Sequence, residues 1–271
     1  MKKKLFTLLL IFISSSSFLV KAGGISVDAG LTPAQNRFIL RTQYRYMTMT
    51  NPMMITNTQM IPLVLAYGVT PGFSLMTRGM YVYNSFSNSA EVKSGFNDLY
   101  VLSKFRLYRK NTANYVLGIA PHIASNVPIG NTDISERTWN PELGLNISFR
   151  PRFFSIDISA SYTISDVLKQ STIEQGNVLG LNTAFSAIIP LKDKSNNAIS
   201  PVVEMSYIQK GKNKNDNLPN KDLIFISPGV SFIHSSLVFE GLIQIPVYQT
   251  SSGEDIMNQK NRYIIGMKYM F

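Results

Sequence analysis

The sequence predicts an all-β fold, a transmembrane antiparallel β-barrel of about twelve strands. Three observations point to it. The chain of 271 residues is 45% hydrophobic but only 15% charged, against roughly 25% charged residues in an ordinary soluble domain. Apolar and polar residues alternate with a period of two through most of the chain, as the side chains of β-strands do. An export signal precedes these alternating segments.

The N-terminal residues predict a Sec signal peptide over residues 1–22, cleaved after Ala22. A cationic start is followed by the apolar stretch Leu5 to Ile13 and by Val20-Lys21-Ala22, which fits a cleavage site. A membrane anchor needs about 20 apolar residues, and Ser14 to Ser17 ends this run after nine. Removing residues 1–22 lowers Lys+Arg from 26 to 22 against 16 acids, so the net charge falls from +10 to +6.

The alternation divides the rest of the chain into twelve runs of about ten residues. In the first run, Phe38 and Leu40 share one face, while Arg37 and Arg41 share the other. The runs cover 37–47, 58–69, 73–85, 97–108, 114–125, 140–149, 153–165, 177–190, 201–210, 222–233, 237–248 and 261–271. A closed ring of these strands is required in a bilayer, because each unpaired backbone group in hydrocarbon costs several kcal/mol.

The connections between the runs alternate in length, which is typical of an outer-membrane barrel with short periplasmic turns and longer extracellular loops. Short connections fall at 70–72, 109–112, 150–152, 192–200 and 234–236, and longer ones near 48–57, 86–96, 126–139, 166–176, 211–221 and 249–260. The barrel is predicted to span 37–271. Residues 23–36 are expected to form a short periplasmic segment, too few to make a substantial plug.

A soluble β-sandwich also alternates apolar and polar residues. Two features favour the membrane barrel instead. A sandwich of this size needs more surface charge, and aromatic residues lie near the strand ends of the apolar face, as at a membrane interface. These residues are Tyr44, Tyr46, Tyr81, Tyr83, Tyr162, Tyr263 and Tyr269.

Strand parity places nearly every charge of the runs on the inner face. The cations are Arg37, Arg41, Arg45, Arg78, Lys104, Arg106, Arg262 and Lys268, on runs 12, 1, 3 and 4; the main acids are Glu142, Asp157, Glu204 and Glu240, on runs 6, 7, 9 and 11. We therefore expect a basic wall that faces an acidic wall across the lumen. Such a field orients charged solutes and favours anions near the basic wall. Ion pairing that only stabilises a filled interior is the alternative.

The sequence offers few candidate residues for catalysis or for metal binding. The absence of Cys excludes disulfides, thiolate metal sites and thiol nucleophiles, and the sequence holds two His. His122, Ser125 and Asn126, with Trp139-Asn140 further on, resemble the His, Ser and Asn of outer-membrane phospholipase A. However, a spacing of three residues puts His122 and Ser125 on opposite faces of a strand. No catalytic residue, metal or cofactor is expected.

Several short motifs resemble a transporter family named for the meta-pathway of phenol degradation. They are Gly95-Phe96-Asn97-Asp98-Leu99, Leu117 to Gly130 with its ending Pro128-Ile129-Gly130, Ser227-Pro228-Gly229 and Gln244-Ile245-Pro246-Val247. The resemblance implies passage of small, often aromatic, molecules across the outer membrane. The closing strand, with Tyr269 and Phe271, resembles the C-terminal signal of bacterial outer-membrane proteins, which implies the barrel-assembly machinery as a partner.

We therefore expect a monomeric channel in the bacterial outer membrane for passive uptake of small solutes, aromatic or hydrophobic compounds among them. Membrane lipids are the expected surroundings, and the basic loop at 210–221 is a candidate contact for lipopolysaccharide phosphates. A nucleic-acid partner is not expected. Two alternatives stay open, a lipid-acting barrel enzyme and a structural or surface-interaction barrel with a blocked lumen.

Overall fold

The structure, a computed structural model, describes residues 23–51, 54–87, 91–135, 137–165, 176–191, 197–212, 221–250 and 258–271. The signal peptide predicted for residues 1–22 lies outside these ranges. In the part of the chain that the structure describes, no helix is long and apolar enough to cross a membrane.

Fifteen strands of the described residues form one antiparallel sheet. They are β1 (Phe38–Thr50), β2 (Ile55–Thr70), β3 (Phe73–Phe86), β4 (Val92–Phe96), β5 (Leu99–Phe105), β6 (Tyr108–Asn111), β7 (Tyr115–Val127), β8 (Glu142–Pro151), β9 (Phe154–Thr163), β10 (Val178–Ala187), β11 (Ile189–Pro190), β12 (Asn197–Lys210), β13 (Lys221–His234), β14 (Leu237–Gln249) and β15 (Asn258–Met270).

The sheet closes on itself into a barrel of twelve full-length strands. One of these is divided into the segments β4, β5 and β6, which follow one another between β3 and β7. Another is divided into β10 and the short β11, which both pair with β12. The seam joins β1 to β15, where Arg41 pairs in register with Lys268. It continues to the chain end, because Phe38 N donates to Phe271 O at 2.8 Å and Phe271 N donates to Phe38 O at 3.0 Å. The predicted twelve-stranded barrel is confirmed.

The two rims of the barrel differ in the way that the sequence predicts. One rim, which we call the turn end, carries the beginning of β1, the end of β15 and tight turns such as Pro71-Gly72 and Ser235-Ser236. The other rim, the loop end, carries the longer connections, for example the one between β7 and β8. By the general rule for outer-membrane barrels, the turn end faces the periplasm.

The fourth predicted run, 97–108, is wrong as one continuous strand. It is interrupted at 97–98 and again at 106–107. At the first break Asp98 leaves the ladder, and its carboxylate accepts a hydrogen bond from Gly130 N at 2.9 Å. At the second break Arg106 N donates to Gly72 O at 2.7 Å in the neighbouring turn. Local hydrogen bonds to a loop and a turn therefore replace the regular ladder at both points.

The barrel is apolar outside and polar inside, the reverse of a soluble domain. The outward side chains of Leu63, Val203 and Ile265 are 53%, 52% and 64% exposed, since they face the surrounding lipid. The inward side chains of Asp157 and Glu204 are 0% exposed. The lumen is therefore packed tightly enough to remove charged groups from water.

Aromatic rings surround the turn end. Phe38 stacks on Tyr67 with centroids 4.4 Å apart, and Phe271 stacks on Phe38 and on Tyr269, both at 5.4 Å. Further pairs along this rim are Phe73–Phe105, Tyr115–Phe149 and Phe154–Phe185. These contacts place the predicted assembly residues Tyr269 and Phe271 in an aromatic girdle at the seam.

The inside-out packing predicts a large effect of charge on the outer face. Leu63→Arg, near the middle of β2, is expected to lower the free energy of unfolding in lipid by about 2–4 kcal/mol, because a guanidinium would enter hydrocarbon. Urea titration of the barrel in lipid vesicles measures this, with Leu63→Ala as the control for lost volume. A loss with Leu63→Arg no larger than with Leu63→Ala would contradict a lipid-facing position.

Candidate functional site in the barrel lumen

Residues 23–36, which we call the inner segment, fold back from the turn end into the lumen. A turn reverses the chain at Asn36, whose φ of 58° lies in the left-handed region that Asn tolerates. Asn36 N donates to Gly68 O at 2.8 Å, and Tyr67 Oη donates to Asn36 Oδ1 at 3.0 Å. The expectation of a periplasmic segment too short to plug the barrel is therefore wrong.

Two buried carboxylates hold the far end of the inner segment. Gly24 N donates to Asp157 Oδ2 at 3.1 Å, and Ser26 N donates to Glu204 Oε1 at 3.0 Å. Ile25 N and Ser26 Oγ also donate to Glu204. The fully buried side chain of Ile25 packs in a cluster of inward apolar residues, which comprises Val27, Ala184, Val202, Leu242 and Ile264. Hydrogen bonds and apolar contacts thus fix the segment together.

The middle of the inner segment lies directly on the barrel wall. Gly30 N donates to Ser148 Oγ at 2.8 Å, and Lys104 Nζ donates to Ala29 O at 2.9 Å. At the closest approach, a Cβ added to Gly118 would lie 2.7 Å from Gly30 O, so only glycine fits at that wall position. A few residues fill this lumen because long inward side chains already occupy much of it.

The inner segment separates two cavities. The loop-side cavity has a volume of about 170 Å³ and is lined by Ser26, Asp28, Arg78, Tyr100 and Glu142, among others. The turn-side cavity has a volume of about 510 Å³ and opens among residues of the turn end, including Phe271. Asp28 lines both cavities. Any solute that crosses the lumen therefore meets the segment.

The predicted arrangement of opposed walls is wrong for Glu240. This carboxylate lies 2.7 Å from Arg41 Nη2 and 3.5 Å from Lys268 Nζ, so it belongs to the basic side of the lumen. The reason is the closure of the ring: β14 is next to β15, which pairs with β1. Glu240 neutralises its neighbours and does not face them from across the lumen.

The other acids also have local partners. Asp157 pairs with Arg150 of the neighbouring strand at 3.1 Å. Glu142 accepts hydrogen bonds from Tyr100 Oη at 2.8 Å and from Thr163 Oγ1 at 2.9 Å. Glu204 accepts hydrogen bonds from the inner segment. The acidic residues therefore act as local anchors, and the transverse field that the sequence predicts is reduced.

Three arginine side chains of the lumen contact neutral groups. We call them the arginine cluster: Arg45, Arg78 and Arg262. Arg45 donates to Gln43 Oε1 at 2.9 and 2.7 Å. The guanidinium of Arg78 lies 4.4 Å from the ring centre of Tyr100, and that of Arg262 lies 4.6 Å from the ring of Phe225. Arg78, Arg41 and Arg262 act on Arg45 as like charges, and Glu204 acts on it as an opposite charge. Within the described ranges, none of the three has a carboxylate within 4.0 Å.

The remaining predicted cations lie at the turn end. Arg37 and Lys104 line the turn-side cavity. Lys104 Nζ also lies 4.0 Å from Asp28. Arg106 Nη2 donates to Thr32 Oγ1 of the inner segment at 2.9 Å. Two of the predicted basic residues therefore bind the segment.

Sequence reasoning missed the inner segment itself, with Ile25, Ser26 and Gly30 as its main contact residues. Two signals point to it once the fold is known. Ile25 and Val27 alternate with small polar residues, and glycines flank them. Glu204 is assigned to the lumen with no cation at a neighbouring position of its own strand, so its charge requires donors from elsewhere.

The geometry at His122 does not form a His–Ser pair. His122 is buried in the lumen, where Nδ1 lies 2.8 Å from Asn146 Nδ2 and Nε2 lies 3.1 Å from Glu142 Oε1. Ser125 Oγ donates to Asn126 O at 3.1 Å. No group of three His, Cys, Asp or Glu that could hold a metal ion occurs among the described residues.

Comparisons with known proteins support the barrel type. No family model and no curated protein matches the sequence. Among solved structures, an outer membrane channel from Pseudomonas putida F1 superimposes with a TM-score of 0.66 at 16% identity, over 93% of this chain and 100% of that chain. At this identity the likeness shows the fold alone, that of a closed β-barrel of the outer-membrane type.

Two further likenesses are weaker. The beta domain of the Bordetella autotransporter Brka has a TM-score of 0.48 at 11% identity, over 88% of this chain and 99% of that chain. The KdgM porin in complex with disordered oligogalacturonate has a TM-score of 0.46 at 12% identity, over 85% and 99%. The resemblance to the phenol meta-pathway transporters stays a prediction.

The position of Glu240 between two cations predicts a strong loss of stability when its charge is removed. Glu240→Gln is expected to lower the free energy of unfolding by about 3 kcal/mol, because Arg41 and Lys268 then lose their shared counter-charge in a buried site. Glu91→Gln, in the exposed pair with Lys93, should change it by about 0–1 kcal/mol. Urea unfolding compares the two variants, and equal small losses would contradict the pairing.

Proposed function

We propose that the chain is a passive outer-membrane channel for small solutes, with a preference for molecules that combine an anionic group with an apolar or aromatic body. The observation that carries this proposal is the turn-side cavity beside the inner segment. Its volume of about 510 Å³ lies within the roughly 300–1,000 Å³ of typical small-molecule sites.

The lining of the turn-side cavity supports this solute class. Ile39, Val64, Met76 and Leu102 provide apolar surface, and cationic side chains lie among them. These cations are Arg37, Arg41, Lys104, Arg109, Arg150 and Lys268. A carboxylate on an apolar or aromatic body complements both kinds of surface, because the apolar part removes surface from water while the charge stays near a cation.

The arginine cluster supports the preference for anions. Its three guanidiniums have neutral groups as their nearest partners, so no ion pair among the described residues cancels their positive charge at close range. In a narrow pore with low-dielectric walls such a charge raises the local concentration of anions. Selectivity in this proposal comes from the cluster and not from two opposed walls.

In this proposal the inner segment controls whether a solute crosses the lumen. Because it lies between the two cavities, a solute has to displace it in order to cross. Its contacts are noncovalent, and each hydrogen bond contributes a net of about 1 kcal/mol. We infer a low basal conductance, with transport that depends on movement of the segment.

A second candidate function is a structural or surface-interaction barrel with a blocked lumen. The anchoring of the inner segment by Asp157, Glu204 and Ser148 favours it. Solute flux separates the two candidates, since a blocked barrel passes no solute whatever the solute's charge.

The proposal predicts that flux depends on solute charge. In liposomes that contain the barrel, benzoate should enter severalfold faster than benzyl alcohol or glucose, relative to liposomes without protein. Arg45→Glu should reduce this preference severalfold, because it reverses one charge of the arginine cluster. Lys93→Glu, on the exposed β4, is the matched control and should leave the preference unchanged. Flux equal to that of empty liposomes would favour the blocked barrel.

A further inference from the structure

The lumen has an imbalance of charge around the beginning of the inner segment. Asp157 and Glu204 are both fully buried carboxylates. Arg150 lies 3.1 Å from Asp157, whereas none of the described cations lies within 4.0 Å of Glu204. Arg45 acts on Glu204 electrostatically from farther away. Two buried negative charges thus share one positive charge at ion-pair distance.

The donors that reach these carboxylates come from three consecutive residues of the inner segment. Gly24 N, Ile25 N and Ser26 N donate to Asp157 or Glu204, and Ser26 Oγ adds a further bond to Glu204. Backbone N–H groups satisfy the hydrogen-bonding capacity of a carboxylate but supply no full charge. A buried carboxylate that lacks a counter-charge is costly.

The residue before these donors is Gly23, the first residue after the predicted cleavage site. A Cβ added to Gly23 would lie 2.9 Å from Asp157 Oδ2 and 2.6 Å from Arg150 Nη2. The α-nitrogen of Gly23 is bonded to the same Cα and lies about 2.5 Å from that Cβ position, so it is within about 5.5 Å of Asp157 Oδ2. Cleavage after Ala22 would convert this nitrogen from a neutral amide into an ammonium group.

We propose that Asp157 and Glu204 form a binding site for the processed amino terminus of this same chain. The ligand is a primary ammonium group followed by a short peptide with free N–H groups, here Gly23 to Ser26. The ammonium of Gly23 adds a second positive charge to a site in which Asp157 and Glu204 otherwise share, of the described cations, only Arg150 at ion-pair distance. The inner segment is therefore held more firmly once the signal peptide has been removed, so export and closure of the lumen are coupled.

This proposal rests on cleavage after Ala22, and mass spectrometry of the exported chain checks that premise. The test then compares two forms of residues 23–271, one with a free α-amine and one acetylated at Gly23. Both carry Ile25→Cys as a reporter, which is the sole thiol because the natural chain has no Cys. The measurement is the rate at which a water-soluble maleimide modifies this thiol in the folded barrel.

In the free-amine form the thiol should react at least about tenfold more slowly than in the acetylated form, because the charged terminus holds the segment in place. Asp157→Asn or Glu204→Gln should bring the two rates together. Asp133→Asn, an exposed loop acid, is the matched control and should preserve the difference. Val27→Cys serves as a second reporter in case Ile25→Cys loosens the segment by itself.

Equal rates in the free and acetylated forms would overturn the proposal, because the carboxylates would then hold only backbone N–H groups. A rate difference that survives both Asp157→Asn and Glu204→Gln would overturn it as well. The heat-dependent mobility of the barrel in detergent gels confirms that each form is folded. The readout is thiol reactivity, so it is independent of whether any solute is transported.

Discussion

The closure of the sheet between β1 and β15 is the constraint on which the rest of the structure depends. In hydrocarbon an open strand edge would leave backbone groups without partners, and a closed ring avoids this cost. Closure also divides the side chains into a lipid-facing set and an enclosed set. Charged residues of the strands must then enter the lumen, where they need counter-charges or hydrogen bonds. The pairing of Glu240 with Arg41 and Lys268 follows directly from this requirement.

The inner segment is the part of the molecule that completes the lumen. Asp157 and Glu204 lie on strands where neighbouring cations are few, and the segment brings N–H donors to both. The same segment divides the lumen into two cavities. One set of contacts therefore stabilises the lumen, and in the proposed function the same contacts control passage while the arginine cluster acts on the solute.

The sequence predicted the barrel well because a period of two is a local property. The twelve-stranded ring and the inward direction of residues such as Arg45 and Glu204 follow from it, although the exact strand ends do not. Long-range relations were harder to predict. Parity shows that Glu240 points inward, but its partners depend on ring closure, and the return of residues 23–36 depends on one turn at Asn36. The break at Asp98 depends on a hydrogen bond to a loop that lies 32 residues later in the chain.

The central claim is that the inner segment controls passage through the lumen. A disulfide between Gly24→Cys and Ala184→Cys tests it most directly. A Cβ on Gly24 would lie 3.0 Å from Ala184 Cβ, so a small outward shift of the segment brings the pair to the roughly 3.5–4.5 Å that disulfides need. Solute flux into liposomes is measured before and after reduction of this bond. The account predicts that the oxidised barrel passes no solute and that reduction restores flux. Equal flux in both states would contradict it.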